Sequence, residues 1–467
     1  MENTIIILAK HCDNIKEINL IIESGQYAKL LKYDHFDGAL MNLTNLMIKS
    51  NYDVLKHIIN NFINLEFNDG NDKLKRKPIH FACQYQSKTV IELLINNKVD
   101  LNCKNSNGIT PIHLVCEYQT KEVIELLINN KVDLNCKNSN GATPIHLACQ
   151  YQTKEVIELL INNKVDLNCE TSNGIRPIHI ACHYQTGEGI QLLINNKVGL
   201  NYKTSNGTTP IHVACQYQTK TVIQLLINNK ADLNCQMSMG SRPIHFACQY
   251  QSKTVIQLLI NNKVDLNCQT NNGTMLIHVA CQYQSEPVIQ LLINNKADLN
   301  CKTNNGSSPI SFACQYQTKT IIQLLIDNKV DLNYKASNGA RPIHVACEFQ
   351  SIEVIQLLID NKVDLNCEMN DGRKPIHIAC TRGQYSVVQL LMNNNVNVCY
   401  KPARNIDPCK IIWIPAHHYW FDEKIRAIVE ILLLILRKIN TPIIMVPKYI
   451  RYDIITMVVF HQFCGVK

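Results

Sequence analysis

The chain has 467 residues, 46% of them hydrophobic and 18% charged, a balance that fits a folded protein and excludes an intrinsically disordered one. Its formal charge of +8 is uneven: residues 401–467 hold ten Lys/Arg against five Asp/Glu, so +5 sits there and +3 is spread over the other 400 residues. That dilution speaks against a basic nucleic-acid-binding face.

Met1-Glu2-Asn3-Thr4-Ile5 has no basic n-region, so no secretory signal is expected. Residues 1–40 read as an N-terminal helical cap and 41–67 as a degenerate copy of the unit that follows. Asn14-Ile15-Lys16-Glu17-Ile18 and Tyr52-Asp53-Val54-Leu55 both echo its second apolar helix. From about residue 68 to 400 one unit recurs ten times. Anchored on its proline it falls at Pro78, Pro111, Pro144, Pro177, Pro210, Pro243, Leu276, Pro309, Pro342 and Pro375, always 33 residues apart. A fixed period of this size marks stacked supersecondary units that cannot bury their apolar faces alone.

Within the unit Thr110 is placed to cap a helix whose first residue is Pro111, where a missing N–H costs nothing. Ile112, Val115 and Cys116 share one face of that short helix. Gln119-Thr120 ends it, Val123 to Ile128 form a second, more apolar helix, and a polar, turn-rich stretch leads to Gly141. The residues G-I-T-P-I-H-L-V-C, E-V-I-E-L-L-I and V-D-L-N resemble the ankyrin repeat. The wording P-I-H-x-A-C-x-Y is most like the large ankyrin families of parasitic protists. The resemblance implies an all-α ankyrin-repeat solenoid of helix–turn–helix units with projecting loops, degenerate at both ends. Ankyrin units usually carry glycine where this chain has Gln119 and Lys131, so both helix ends need another solution.

Two flaws interrupt the array. Met275-Leu276 replaces the Thr-Pro helix start, and Ser311 replaces the signature histidine one unit later. Six units also lack a capping Ser or Thr, having Lys77, Arg176, Arg242, Met275, Arg341 and Lys374 instead. The stretch from residue 275 to 311 is therefore expected to be the softest internal point. After Tyr400 a degenerate final repeat and tail are expected. Residues 446–460 faintly resemble the start of an F-box, with Tyr449 where an acidic residue is usual.

Nine signature histidines, His80 to His377, each have a cysteine three residues on. Closed zinc sites need four ligands at other spacings, and in the resembled family this histidine ties the helix start to the adjoining loop. A structural role is expected, with no metal and no cofactor. Of the 21 cysteines, seventeen recur at two repeat positions. Small, apolar and periodic is what a packing position requires, and reduced thiols point to the cytoplasm, the nucleus being a further option. No nucleophile elbow or phosphate loop is present, and the repeats' inner face has no paired carboxylates, so no enzyme activity is expected.

In ankyrin proteins the loop tips and the exposed side of the first helix form a concave binding face. Mapped onto this chain, that face holds Gln84, Tyr85, Tyr118, Gln150, Tyr151, Tyr184, Gln216, Tyr217, Gln249, Tyr250, Gln282, Tyr283, Gln315, Tyr316 and Phe349. Arg176, Arg242 and Arg341 stand at the loop base. Tyrosine supplies large, rigid contact area with a polar tip. The expected function is a non-enzymatic protein-binding scaffold with an unidentified protein partner, no nucleic acid and no membrane insertion. The alternative is a ubiquitin-ligase substrate adaptor that docks a Skp1-like protein through the tail.

Overall fold

The computed structural model describes residues 74–85, 87–394 and 396. The proposed N-terminal cap, the degenerate repeat at 41–67, and the tail with its F-box-like stretch lie outside them. Described residues fall into two compact units divided between Ser238 and Met239. In the first, helices pair as Pro78–Tyr85 with Lys88–Asn96, Pro111–Tyr118 with Lys121–Asn129, Pro144–Tyr151 with Lys154–Asn162, Pro177–Tyr184 with Gly187–Asn195, and Pro210–Tyr217 with Lys220–Asn228. In the second they pair as Pro243–Tyr250 with Lys253–Asn261, Leu276–Tyr283 with Glu286–Asn294, Pro309–Tyr316 with Lys319–Asp327, Pro342–Phe349 with Ile352–Asp360, and Pro375–Thr381 with Tyr385–Asn393. Within each unit, first helices pack on neighbouring first helices and second helices on second helices. Among the described residues the one β feature is an isolated antiparallel bridge, Gln269 to Met275.

The 33-residue period writes the core directly. Ile112, Val115 and Cys116 are fully buried, as are Ile124 and Leu127 of the second helix, with Val123 nearly so. Each such side chain removed from water contributes roughly 1.5–3 kcal/mol for the larger aliphatics. A unit standing alone would expose half of these faces, so stacking and burial are one event.

The helix ends show how the array does without glycine. Lys131 sits in the left-handed region at φ 57°, and its counterparts from Lys98 to Lys362 do the same. That conformation costs a non-glycine residue about 1 kcal/mol. Asn130 offsets it, because its side-chain amide donates to the Leu126 carbonyl at 2.8 Å and closes the last turn. Gln119 takes the other route: it is extended (φ −113°, ψ 170°) and its N–H reaches the Val115 carbonyl. Its side chain then leaves the repeat, donating from Nε2 to the Cys83 carbonyl of the preceding one at 3.1 Å. Gln152 extends the pattern to the carbonyls of Cys116 and Gln119, and Gln185 to those of Cys149 and Gln152. In the second unit Gln284 and Gln350 repeat it. Glycine could make none of these side-chain bonds.

In the loops a true glycine is required. Gly108 has φ 69°, and a Cβ there would lie 2.9 Å from the Ser139 nitrogen of the next loop. That close approach lets the Ser139 N–H donate to the Asn107 carbonyl at 2.9 Å, joining tip to tip.

Candidate functional site

The signature histidine is a link between repeats. His113 Nδ1 accepts the Thr110 N–H at 3.2 Å, and its Nε2–H donates to the Ala142 carbonyl in the next loop at 3.0 Å. Both nitrogens are thereby used, in the neutral form with the proton on Nε2. His146 repeats this with Thr143 and Ile175, and His80 with Lys77 and Ile109. Burial is the main cause that holds His146, His245, His278 and His344 down to about 4. His80, His113 and His179 are shifted downward for the same reason.

One bond of each helix start does not depend on a Ser or Thr cap. The histidine accepts the N–H of the N-cap residue itself, so the bond survives with Arg176, Arg242, Met275, Arg341 or Lys374 at that position. Where threonine is present, its hydroxyl adds a contact to the loop cysteine: Thr110 Oγ1 lies 3.2 Å from Cys136 Sγ. All seventeen described cysteines are free and buried. Desolvation pushes their thiols upward, to about 12 at Cys182, Cys314 and Cys380, so the reactive thiolate is suppressed.

The loop-base arginines are turned to the loops, Arg176 to its own and the next, Arg242 and Arg341 to the next. Arg176 meets Glu170 at 2.9 Å, donates to the Asn168 carbonyl, and stacks over Tyr202 with its guanidinium carbon 3.6 Å from the ring centre. Arg242 pairs with Asp265, and Arg341 with Asp364, each at 3.2 Å. Their side chains are only 16–25% exposed. Covered and paired in this way, they present little free charge to solvent.

What the fold leaves open is the aromatic position near the end of the first helix. Tyr85, Tyr118, Tyr151, Tyr184 and Tyr217 in the first unit are 49–51% exposed. Tyr250, Tyr283, Tyr316 and Phe349 in the second are 48–50% exposed. Beside them Gln84, Gln150, Gln216, Gln249 and Gln282 are half-buried, and Gln315 is exposed.

Two features escape a reading of the sequence. One is the glutamine ladder, because nothing in Q-T or Q-S says that the amide reaches another repeat. The other is a cleft of about 660 Å³ between the first-helix stripe and the loop tips, lined by Ile180, His183, Tyr184, Asn206, Val213 and Tyr217 among others. The His183 ring lies 4.0 Å from Tyr184 and 3.9 Å from Tyr217, tilted against both. The signal for it is His183 itself, which breaks a column held by Gln or Glu elsewhere from Gln84 to Glu348.

Comparison with known proteins agrees with the repeat structure. A family model of ankyrin repeats in tandem copies matches in overlapping segments from residue 40 to residue 401. The crystal structure of the human ASB11 ankyrin repeat domain matches at 23% identity with a TM-score of 0.43, covering 48% of this chain and 99% of that one. No curated protein matches the chain. Among the described residues no helix is long and apolar enough to cross a membrane.

Proposed function

We propose, because the chain belongs to the ankyrin repeat family, that it is a non-enzymatic scaffold that holds a protein partner along the first-helix stripe. The half-exposed tyrosine in each of eight repeats, with Phe349 in a ninth, carries this reading. Large aromatic rings left half in water are a cost that binding would recover. The stripe hardly varies from repeat to repeat, which suits an elongated partner with a repeating surface of its own. The buried thiols support a reducing compartment, and we place the protein in the cytoplasm.

Proximity labelling in the source cell identifies the partner, and binding of that partner to tyrosine variants tests the site. Contributions from rings along one chain act as linked sites at high effective concentration. Tyr151→Ser alone should weaken binding slightly, about twofold to fivefold. Replacing Tyr151, Tyr184, Tyr217 and Tyr250 together should abolish it. A fourfold variant that melts normally and binds at full strength would move the site to the loop tips.

A further inference from the structure

The stripe has a period, and a period constrains the shape of what lies on it. In the unit ending at Ser238, Tyr85, Tyr118, Tyr151, Tyr184 and Tyr217 stand one on each successive first helix, all about half exposed. Packed helices lie about 8–10 Å apart axis to axis, so from Tyr85 to Tyr184 the stripe offers one aromatic face at roughly that interval, while His183, in ring contact with both, holds Tyr184 and Tyr217 closer. An α-helix turns every ~5.4 Å, and a β-strand returns a side chain to the same face every ~6.7 Å. A polyproline II helix rises ~3.1 Å per residue with three residues per turn, so it returns about every 9 Å. Of the three, it alone meets one ring per turn.

Polarity agrees with that shape. A polyproline II backbone makes no internal hydrogen bonds, so its carbonyls need donors. The stripe supplies amide and phenol groups, with Gln84 and Glu117 both in reach of the Tyr118 hydroxyl and Gln150 beside that of Tyr151. Across these five repeats the stripe positions hold one carboxylate, Glu117, and no Lys or Arg. A strongly charged partner finds little to pair with, whereas a single cation opposite Glu117 is matched. Farther along, the cleft beside His183, with Ile180 and Val213 in its wall, adds depth for one apolar side chain.

We infer that this tyrosine stripe takes a proline-rich segment in the polyproline II conformation, one turn per ring, with one basic side chain opposite Glu117 and one apolar side chain in the cleft. The inference rests on the reading of the stripe as the contact surface. It also accounts for the monotony of the stripe, since a three-residue repeat presents the same face to every ring.

The test uses the full chain and three fluorescein-labelled peptides of about fifteen residues, which at three residues per turn span five turns. One is a proline-rich triplet repeat with a single Arg, one replaces that Arg by Glu, and one is a Gly/Ser-rich chain with the same Arg. Fluorescence anisotropy should show the first binding at least ~10-fold more tightly than either other. Tyr118, Tyr151 and Tyr184 changed together to Ser should lose at least ~10-fold, while the same three changed to Phe should stay within a few fold. Equal binding of the flexible and proline-rich peptides, both lost in the Ser variant, would overturn the polyproline inference and leave the stripe as the site. No binding of any peptide would overturn it as well. Retention of the proline-rich peptide by a normally melting Ser variant would sink both readings together.

Discussion

The repeat anchored at Pro144 and the repeat anchored at Pro309 are built to one plan, and among their differences the first has His146 where the second has Ser311. In the first, His146 joins its own helix start to the carbonyl of Ile175 in the next loop. In the second, Ser311 has only a hydroxyl, which lies 3.0 Å from that of Ser308, inside the same repeat. The backbone is otherwise alike: Pro309–Tyr316 starts and stops in register, and Ile310, Ala313 and Cys314 are fully buried. The lesson is that apolar burial sets the shape of each repeat, and the histidine adds a separate link to the next one.

The repeat anchored at Leu276, immediately before that of Pro309, keeps its links despite its altered start. Met275-Leu276 lacks both proline and cap, yet Leu276 is fully buried and His278 Nδ1 accepts the Met275 N–H at 3.1 Å. His278 also reaches the Ser307 carbonyl at 3.2 Å and meets Phe312 edge-on. Weakness in this stretch is therefore concentrated at Ser311.

Acid should act most strongly on the comparison. The linking histidines are neutral in the fold and ordinary in the unfolded chain, where they titrate near 6.5. Above that pH their contribution is complete. As pH falls from 6.5 toward 4 the unfolded chain takes up protons first, so stability is lost through that window. A histidine held near 4, such as His146, contributes a loss on the order of 3 kcal/mol by pH 4. Thermal melts between pH 7.5 and 4 should fall steeply below 6.5. A flat profile would mean the histidines are not buried neutral links.

Next in size is the link itself. His146→Ala leaves the Thr143 N–H and the Ile175 carbonyl without their partner and should cost about 2–4 kcal/mol in denaturant unfolding. The converse change, Ser311→His, should gain about 1 kcal/mol. Equal small effects from both would break the contrast drawn above. The smallest effect belongs to the glutamine ladder: Gln152→Ala removes two bonds to the previous repeat and should cost about 1 kcal/mol. Glycine at the same position should cost at least as much, although it is the usual residue in the family. The thiols give an independent check. Alkylation followed by intact-mass measurement should find the described cysteines reduced, blocked in the native protein and reactive once unfolded.

Much of this is legible in the sequence because one pattern recurs at every 33rd residue. The register of every described helix pair follows from Pro111 and its copies, and the core follows from Ile112, Cys116, Ile124 and Leu127. The role of His113 also followed, from the resemblance. What was hidden depends on side-chain direction across repeats. Gln119 reads as a poor substitute for glycine until its amide is seen to reach Cys83. Arg176, Arg242 and Arg341 read as available charge, because their carboxylate partners lie 6 or 23 residues away. The tyrosine exposure that supports the contact surface likewise depends on how far each ring leans over the helix layer.

The claim at the centre is that the array is held link by link, so that a repeat is as firm as its own histidine. Native-state hydrogen exchange on the full chain at pH 7 tests it directly, because sub-global opening reports local stability. Amides of Pro309–Tyr316 and of the loop from residue 334 to 341 should exchange faster than those of Pro144–Tyr151 and the loop from residue 167 to 176. Ser311→His should bring the two into agreement. Uniform protection in the unmodified chain, or a difference that survives Ser311→His, would contradict the account.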